Sequence, residues 1–446
     1  MIRLIRKMFS LAKETFSDIF RLTRSPVKGF KAFYGVSLYR NAVYLILNNV
    51  VGQATGFFFW MAAARLYSTE AVGMASAAIA AMTLLATLST MGLDFSLIRF
   101  LPGAGKQARD MINTCFTISG VASIALAFVF IAGLGFWSPA LISIRQHPIF
   151  LSIFVISVAA STLNAFSQQT FIAKRRAGLA LTRGLVFGFS RFVPLVIMAT
   201  FFKSFGIFSA WGIAVSLAVV ISLLSITKIE AGYYPLPIVK KEMLSDMARF
   251  SFTNYIANLI LSIPILIFPM MVVNLVGAEQ NAYFYIGWAL GFILFMIPSS
   301  LSISLFAEGS HHRDKLSQEI VRSLKLVMLI LIPAMILMLV VGDKLLLLFG
   351  RAYSENATNL LRILAFSALP YAVNQIYFSM KRVEMQMRIV IILSLFMAVV
   401  TLGLSWVLLP RMGITGIGIA WLVSQGMVAI GIIINFILRR NPKRPT

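Results

Sequence analysis

The sequence predicts an all-α polytopic membrane protein, about twelve transmembrane helices arranged as two parallel six-helix lobes. Three observations predict this. Of 446 residues, 59% are hydrophobic and 12% charged, and the mean hydropathy is +0.89; a water-soluble domain cannot hide that much apolar surface. The apolar segments repeatedly reach the roughly 20 residues a helix needs to cross the hydrocarbon core, without the period-two alternation of a membrane barrel. Short patterns recur at one fixed offset along the chain.

The first element, residues 1–40, differs from the rest. Ile5, Met8, Phe9, Ala12, Phe16, Ile19 and Phe20 share one helical face, and Arg6, Lys7, Lys13, Arg21 and Arg24 fall elsewhere. This reads as a basic amphipathic segment lying on a membrane, or as a basic tail that only fixes orientation. It has no uninterrupted apolar stretch with a small-residue cleavage site, so no signal peptide is expected. Spans follow at 41–64, 71–100, 113–136, 149–172, 184–202 and 206–228, then at 251–276, 282–306, 324–342, 360–380, 388–409 and 414–437. The chain therefore divides into an N-terminal lobe over 41–228, a linker over 229–250, a C-terminal lobe over 251–438 and a basic tail over 439–446.

Charge tests this layout. Lys106, Arg109, Lys174, Arg175, Arg176, Arg183, Lys228, Lys240, Lys241, Arg249, Arg313, Lys315, Arg322, Lys325, Lys381, Arg382 and Arg388 fall on one side with the tail. The other side keeps Arg65, Arg145, Lys203, Lys344, Arg351, Arg362 and Arg411. The positive-inside rule then places both termini in the cytoplasm of a multi-pass plasma-membrane protein. The net charge of +24 matches an anionic inner leaflet and requires no nucleic acid. The single cysteine, Cys115, and the histidines His147, His311 and His312 lack metal-ligand spacing, so no metal or other cofactor is expected.

The repeat is internal. Q-x-x-F-x-x-K-R occurs from Gln168 and again from Gln375, 207 residues on; Gly206 and Gly413 open similar short-loop-to-span segments at the same offset. Span four thus corresponds to span ten and span six to span twelve. Six spans per half return the chain to its starting side, so the halves are parallel repeats about an axis along the membrane normal, with a site expected between them.

The stretches "YSTEAVGMASAAIAAMTLLATLSTMGLDFSLIRFLP", "AYFYIGWALGFILFMIPSSLSISLFAEGS" and "PRMGITGIGIAWLVSQG" resemble polysaccharide transporters of the multidrug/oligosaccharidyl-lipid/polysaccharide (MOP) exporter superfamily, in the O-antigen flippase-like branch. The resemblance covers residues 40–438. It implies a V-shaped two-lobed bundle acting as a monomer beside glycan-assembly enzymes. It also implies a cargo, a polyprenyl-(di)phosphate-linked oligosaccharide moved to the outer leaflet. Coupling to H⁺ or Na⁺ stays open.

The residues suit that cargo. Arg191, in "VFGFSRFVPLVI", lies eight residues after Arg183, about 12 Å into a core of roughly 30 Å. Facing lipid there it would cost at least about 2.5–3.5 kcal/mol, so it faces protein or water. It either grips the phosphate linker through its forked donors or pairs with Asp94. Arg99 stands beside the entry path or snorkels to the interface. Uncharged polar residues mark helix faces: Ser157, Ser161, Asn164 and Gln168 on span four, Asn254, Asn258 and Ser262 on span seven, Asn49 and Gln53 on span one, and Asn374 with Gln375 on span ten. They line a glycan passage or glue helices together. Lys174, Arg175, Lys381 and Arg382, equivalent under the repeat, form a cytoplasmic basic mouth or act as topology anchors. Pro194, Pro264, Pro269, Pro298, Pro333 and Pro370 are expected to bend their spans.

Other classes fit less well. A membrane-embedded polymerase or glycosyltransferase needs catalytic groups on sizeable outer loops, and the longest outer connection here is "VGDKLLLLFGRAYSENATN". A drug/cation antiporter needs intramembrane carboxylates, and Asp94 is almost alone. Lipid II flippase relatives usually carry fourteen spans. The topology predicts that reporter fusions after Arg109, Arg183, Lys325 and Arg388 all read cytoplasmic; an outside signal from any of them contradicts the twelve-span layout.

Overall fold

The computed structural model describes residues 37–201, 205–230, 232–311 and 316–440. Most of the amphipathic segment expected over 1–40, and most of the tail over 439–446, lie outside the described residues. The described chain is a helical bundle. Its elements are α1 Ser37–Leu66, α2 Thr69–Thr90, α3 Leu93–Phe100, α4 Ala108–Ala132, α5 Pro148–Ala173, α6 Ala177–Ser190, α7 Phe192–Phe201 and α8 Gly206–Ile229, followed by α9 Lys241–Leu275, α10 Ala278–His311, α11 Leu316–Leu347, α12 Arg351–Val383, α13 Met387–Met412 and α14 Thr415–Arg440.

Among the described residues, ten helical segments are long and apolar enough to cross a membrane. The expectation was twelve, and the difference is compositional. The remaining two long helices, α1 and α12, carry the polar residues Asn48, Asn49, Gln53 and Thr55, and Arg362, Asn374 and Gln375. Helices that turn polar groups toward the bundle interior need less apolar surface than helices ringed by lipid.

Two spans of the first half are broken where one helix was expected. After Thr90 the backbone of Met91 and Gly92 turns left-handed, with φ of 47° and 78°. Glycine tolerates this conformation, and it ends α2. The Leu88 carbonyl there accepts the Met91 amide and, from the other half of the chain, the Tyr255 hydroxyl at 3.2 Å. The second break falls at Arg191, between α6 and α7. Pro194 has no N–H for the Ser190 carbonyl one turn earlier, so the ladder lapses there. The assigned helices run unbroken through Pro264, Pro269, Pro298, Pro333 and Pro370.

The internal repeat has a different register at its helix ends. The Arg176 amide bonds the Phe171 carbonyl at 2.8 Å, and the Gln386 amide bonds that of Lys381 at 2.8 Å. The same helix-ending hydrogen bond thus recurs at 386 less 176, an offset of 210, and the starts of α6 and α13 at Ala177 and Met387 keep it. Asn164 then matches Asn374. The Q-x-x-F-x-x-K-R match is out of register by about one turn, which explains why it falls on a similar helix face.

The halves join along α2, α9 and α10, within one continuous apolar core that draws on both. Gly73 of α2 meets Ala278 of α10 so closely that a Cβ on Gly73 would lie 1.7 Å from the Ala278 carbonyl oxygen. The fully buried Asn281 donates to the Gly73 carbonyl at 2.7 Å and to Ser76 Oγ at 3.0 Å. At the basic end, Ser96 Oγ bonds the Met247 carbonyl at 2.8 Å.

The linker is shorter than expected, because α9 begins at Lys241. It is also fastened to the first lobe. Asn113 donates to the Tyr234 carbonyl at 2.9 Å, the Lys240 amide donates to Thr114 Oγ1 at 3.1 Å, and Lys174 pairs with Glu230 at 2.6 Å. A pivot in this segment would have to break those ties. Because backbone blocks a side chain at Gly73, Gly73→Val is expected to destabilise the protein by at least about 1–3 kcal/mol. A melting temperature unchanged from the parent in detergent contradicts that contact.

Candidate functional site

Arg191 is the centre of the site. Its span runs from Ala177 to Thr200, so it lies about 21 Å along the helix from the basic end, deeper than its spacing from Arg183 suggested. Its side chain is 1% exposed. The guanidinium carbon stands 4.6 Å from the ring centre of Phe59, 5.0 Å from Phe187 and 5.0 Å from Trp211. Nε donates to the Gly188 carbonyl and Nη2 to Thr55 Oγ1, each at 3.2 Å. Gly184 and Gly188 let α1 and α6 come close enough for this: a Cβ on Gly188 would lie 2.7 Å from Thr55 Oγ1, and one on Gly184 would collide with the Asn48 amide oxygen. Desolvated cation–π contacts of this kind contribute up to about 2 kcal/mol each, so the rings offset much of the cost of placing a cation here.

Arg191 faces a cavity of about 580 Å³ between the halves, lined by α1, α6, α8 and α10. Asn49 and Gln53 of α1, four residues apart and exposed, lie along it, with Trp60, Trp211, Tyr285 of α10 and Phe349. Its described lining includes no carboxylate. The described lining is therefore aromatic and aliphatic, with neutral amides and one cation.

The structure corrects the pairing of Arg191 with Asp94. Arg191 forms no ion pair among the described residues. Asp94 lies in the first turn of α3, after the break, beside the Phe95 amide and the Thr90 hydroxyl, and its Oδ1 has no hydrogen-bond partner. Arg99 is exposed near the basic end, its guanidinium 5.7 Å from the Phe100 ring centre and outside the residues that line the cavity.

Asn164 and Gln168 are also absent from the cavity lining. They turn into the first lobe and hold Arg183, which is 6% exposed: Nη1 donates to Asn164 Oδ1 at 2.6 Å and Nη2 to Gln168 Oε1 at 2.5 Å. Arg183 is thus a buried helix residue and no part of a loop. Ser161 of the same stripe contacts Met82 Sδ at 3.3 Å. Asn374 bonds Gln425 Oε1 at 2.8 Å inside the second lobe, where it and Gln375 line a separate cavity of about 170 Å³. Asn258 is exposed on α9, its carbonyl accepting from Ser262 Oγ at 2.9 Å. Asn254 belongs to α9, its side chain outside the described residues.

The basic mouth is partly neutralised. Lys174 is bound by Glu230, and the buried Lys381 by Glu384 at 2.7 Å and Gln386 at 2.9 Å. Arg175 takes the left-handed position after α5, φ 54°, whereas the corresponding position after α12 is Met385, φ 62°. Arg175 and Arg382 are therefore not equivalents. The aromatic cage and Thr55 went unread in the sequence. Their signal was the density of rings in "GFFFWM" and on both sides of Arg191 in "FGFSRF".

Over 89% of its length the chain superposes on 87% of the lipid II flippase MurJ in an inward closed conformation, with a TM-score of 0.70 at 13% identity. It superposes on 96% of an inward-facing multidrug-resistance MATE transporter of the MOP superfamily, with a TM-score of 0.63 at 16% identity over 89% of this chain. A MOP superfamily transporter from Pyrococcus furiosus gives a TM-score of 0.56 at 14% identity over 90% of this chain and 95% of that one. The chain has the MOP-exporter fold. The MatE family model matches residues 255–407, within the second lobe of this MOP-exporter fold, and no curated protein matches the chain.

Arg183 supplies a test of the first lobe. Arg183→Leu strands the Asn164 and Gln168 oxygens, costing about 1–3 kcal/mol, whereas Asn164→Leu with Gln168→Leu strands the charge and is the more damaging change. Thermal melting of both proteins checks this order; the reverse order contradicts it.

Proposed function

We propose that this chain is a plasma-membrane flippase, carrying a polyprenyl-(di)phosphate-linked oligosaccharide from the cytoplasmic to the outer leaflet by alternating access. The observation that carries the reading is Arg191, a buried guanidinium on the wall of the cavity between the lobes, with no carboxylate in the described lining. A site of this kind attracts an anionic group and repels a cation. The fork of the guanidinium matches two phosphate oxygens, and the aromatic cage holds the fork in one orientation.

In this reading the basic end is cytoplasmic. The cargo's phosphate passes between α1 and α10 to Arg191, and Asn49 and Gln53 exchange hydrogen bonds with sugar hydroxyls. The hydrocarbon tail stays in lipid at the seam. The lobes then part at the opposite end. The fold shared with MurJ supports a lipid-linked cargo.

A second reading, export of cationic drugs, draws on the MatE match and on the rings of Trp60, Trp211 and Tyr285, since aromatic walls also bind cations. Arg191 already occupies the faces of Phe59, Phe187 and Trp211, which weighs against it.

Arg191→Ala is expected to lower surface glycan at least about tenfold, with the protein still inserted, and Arg191→Lys to restore part of it because a point charge cannot fork across two oxygens. Surface glycan and membrane protein level are measured together. Full display in Arg191→Ala contradicts the reading, and loss of cation resistance with display intact favours the drug exporter.

A further inference from the structure

The segment between α11 and α12 is held in an unusual way. Helix α11 ends at Leu347, and the carbonyls at such an end have no partners within the helix and carry its negative pole. Here a residue of the other lobe caps them. Arg65, at the last turn of α1, donates from Nη2 to the Leu347 carbonyl at 2.8 Å and from Nε to the Leu348 carbonyl at 3.0 Å. The next residue is Phe349, 2% exposed. Its ring packs edge-on against Phe57 of α1 at 5.2 Å and lines the cavity that holds Arg191. Gly350 follows, with φ 145°, a conformation that L side chains rarely adopt and that glycine takes without strain.

We propose that residues 347–350 are a plug at the exit of the central cavity, with Phe349 as the stopper and Arg65 as the latch that keeps it seated. The inference rests on the transport reading, because only a cavity that opens alternately needs an exit seal. The latch joins a side chain of one lobe to the backbone of the other, so parting the lobes at this end breaks both hydrogen bonds and withdraws Phe349 from Phe57. Gly350 gives the segment a joint on which to swing. Arg65 is exposed, so water can replace the carbonyls as they leave. That keeps the latch reversible, since water recovers part, though not all, of what the two charge-assisted bonds contribute.

The test uses the chain's single cysteine to advantage. In a Cys115→Ser background, Ala289→Cys places a thiol on the exposed cavity face of α10. A membrane-impermeant maleimide is applied from outside intact cells. Labelling is expected to be slow in this parent, to rise about tenfold in Arg65→Ala and in Phe349→Ala, and to fall between for Arg65→Lys, since losing a charge-assisted pair shifts a two-state equilibrium by about that factor. Gel-filtration profiles in detergent show which variants are folded. If Arg65→Ala does not fold, Phe349→Ala and Arg65→Lys still decide the matter. Parent-like labelling in the folded variants overturns the proposal. The reagent reads the plug without cargo, so this failure is distinct from failure of the cargo reading, which surface glycan in Arg191→Ala reports.

Discussion

A guanidinium buried near the middle of a membrane span, with no carboxylate paired to it among the described residues, is the constraint on which the rest of the first lobe depends. An arginine there is tolerated only where protein or water replaces its hydration. The chain supplies Thr55, the Gly188 carbonyl and three aromatic rings, and each requires something of the helix that carries it. Gly184 and Gly188 bring the backbones together. The lapse in the ladder at Pro194 separates α6 from α7 beside Arg191, and Trp211 is presented from the first turns of α8. The result is a cation that is fixed in direction and has no ion-pair partner among the described residues.

The lobes share a plan but not a chemistry. Among the described residues, the first holds two buried guanidinium groups, Arg183 and Arg191, and two broken spans. The second has unbroken helices and a small cavity where neutral groups such as Asn374, Gln375 and Gln425 meet. Asn164 and Asn374 occupy matching positions, yet one accepts from an arginine and the other donates to an amide. The positive charge in the described lining of the cavity thus comes from the first lobe, while the second contributes Tyr285, Ala289 and Phe349 as walls.

Much of this was legible in the sequence, for physical reasons. Membrane spans are read from hydropathy because lipid leaves few alternatives, and the depth of Arg191 alone showed that it could not face lipid. What failed was inference about neighbours. The polar stripe Ser157, Ser161, Asn164 and Gln168 does share a face of α5, but spacing along a helix does not tell which side of a crowded bundle that face meets: Asn164 and Gln168 meet Arg183, and Ser161 meets Met82. Asp94 was the clear intramembrane carboxylate in the sequence, yet it forms no ion pair with Arg191. The repeat was detectable but out of register by about one turn, because a slip of that size leaves a helix face nearly unchanged, whereas the hydrogen bonds that end α5 and α12 fix it.

The central claim is that the Arg191 cavity binds an anionic lipid head. The most direct measurement is native mass spectrometry of the purified protein with farnesyl diphosphate as probe, farnesol as neutral control and ethidium as cationic control. The account predicts a diphosphate adduct that is weakened about tenfold or more in Arg191→Ala, with neither control binding in an Arg191-dependent way. Diphosphate binding unchanged in Arg191→Ala, or ethidium binding strengthened by that substitution while diphosphate binds nowhere, would contradict it.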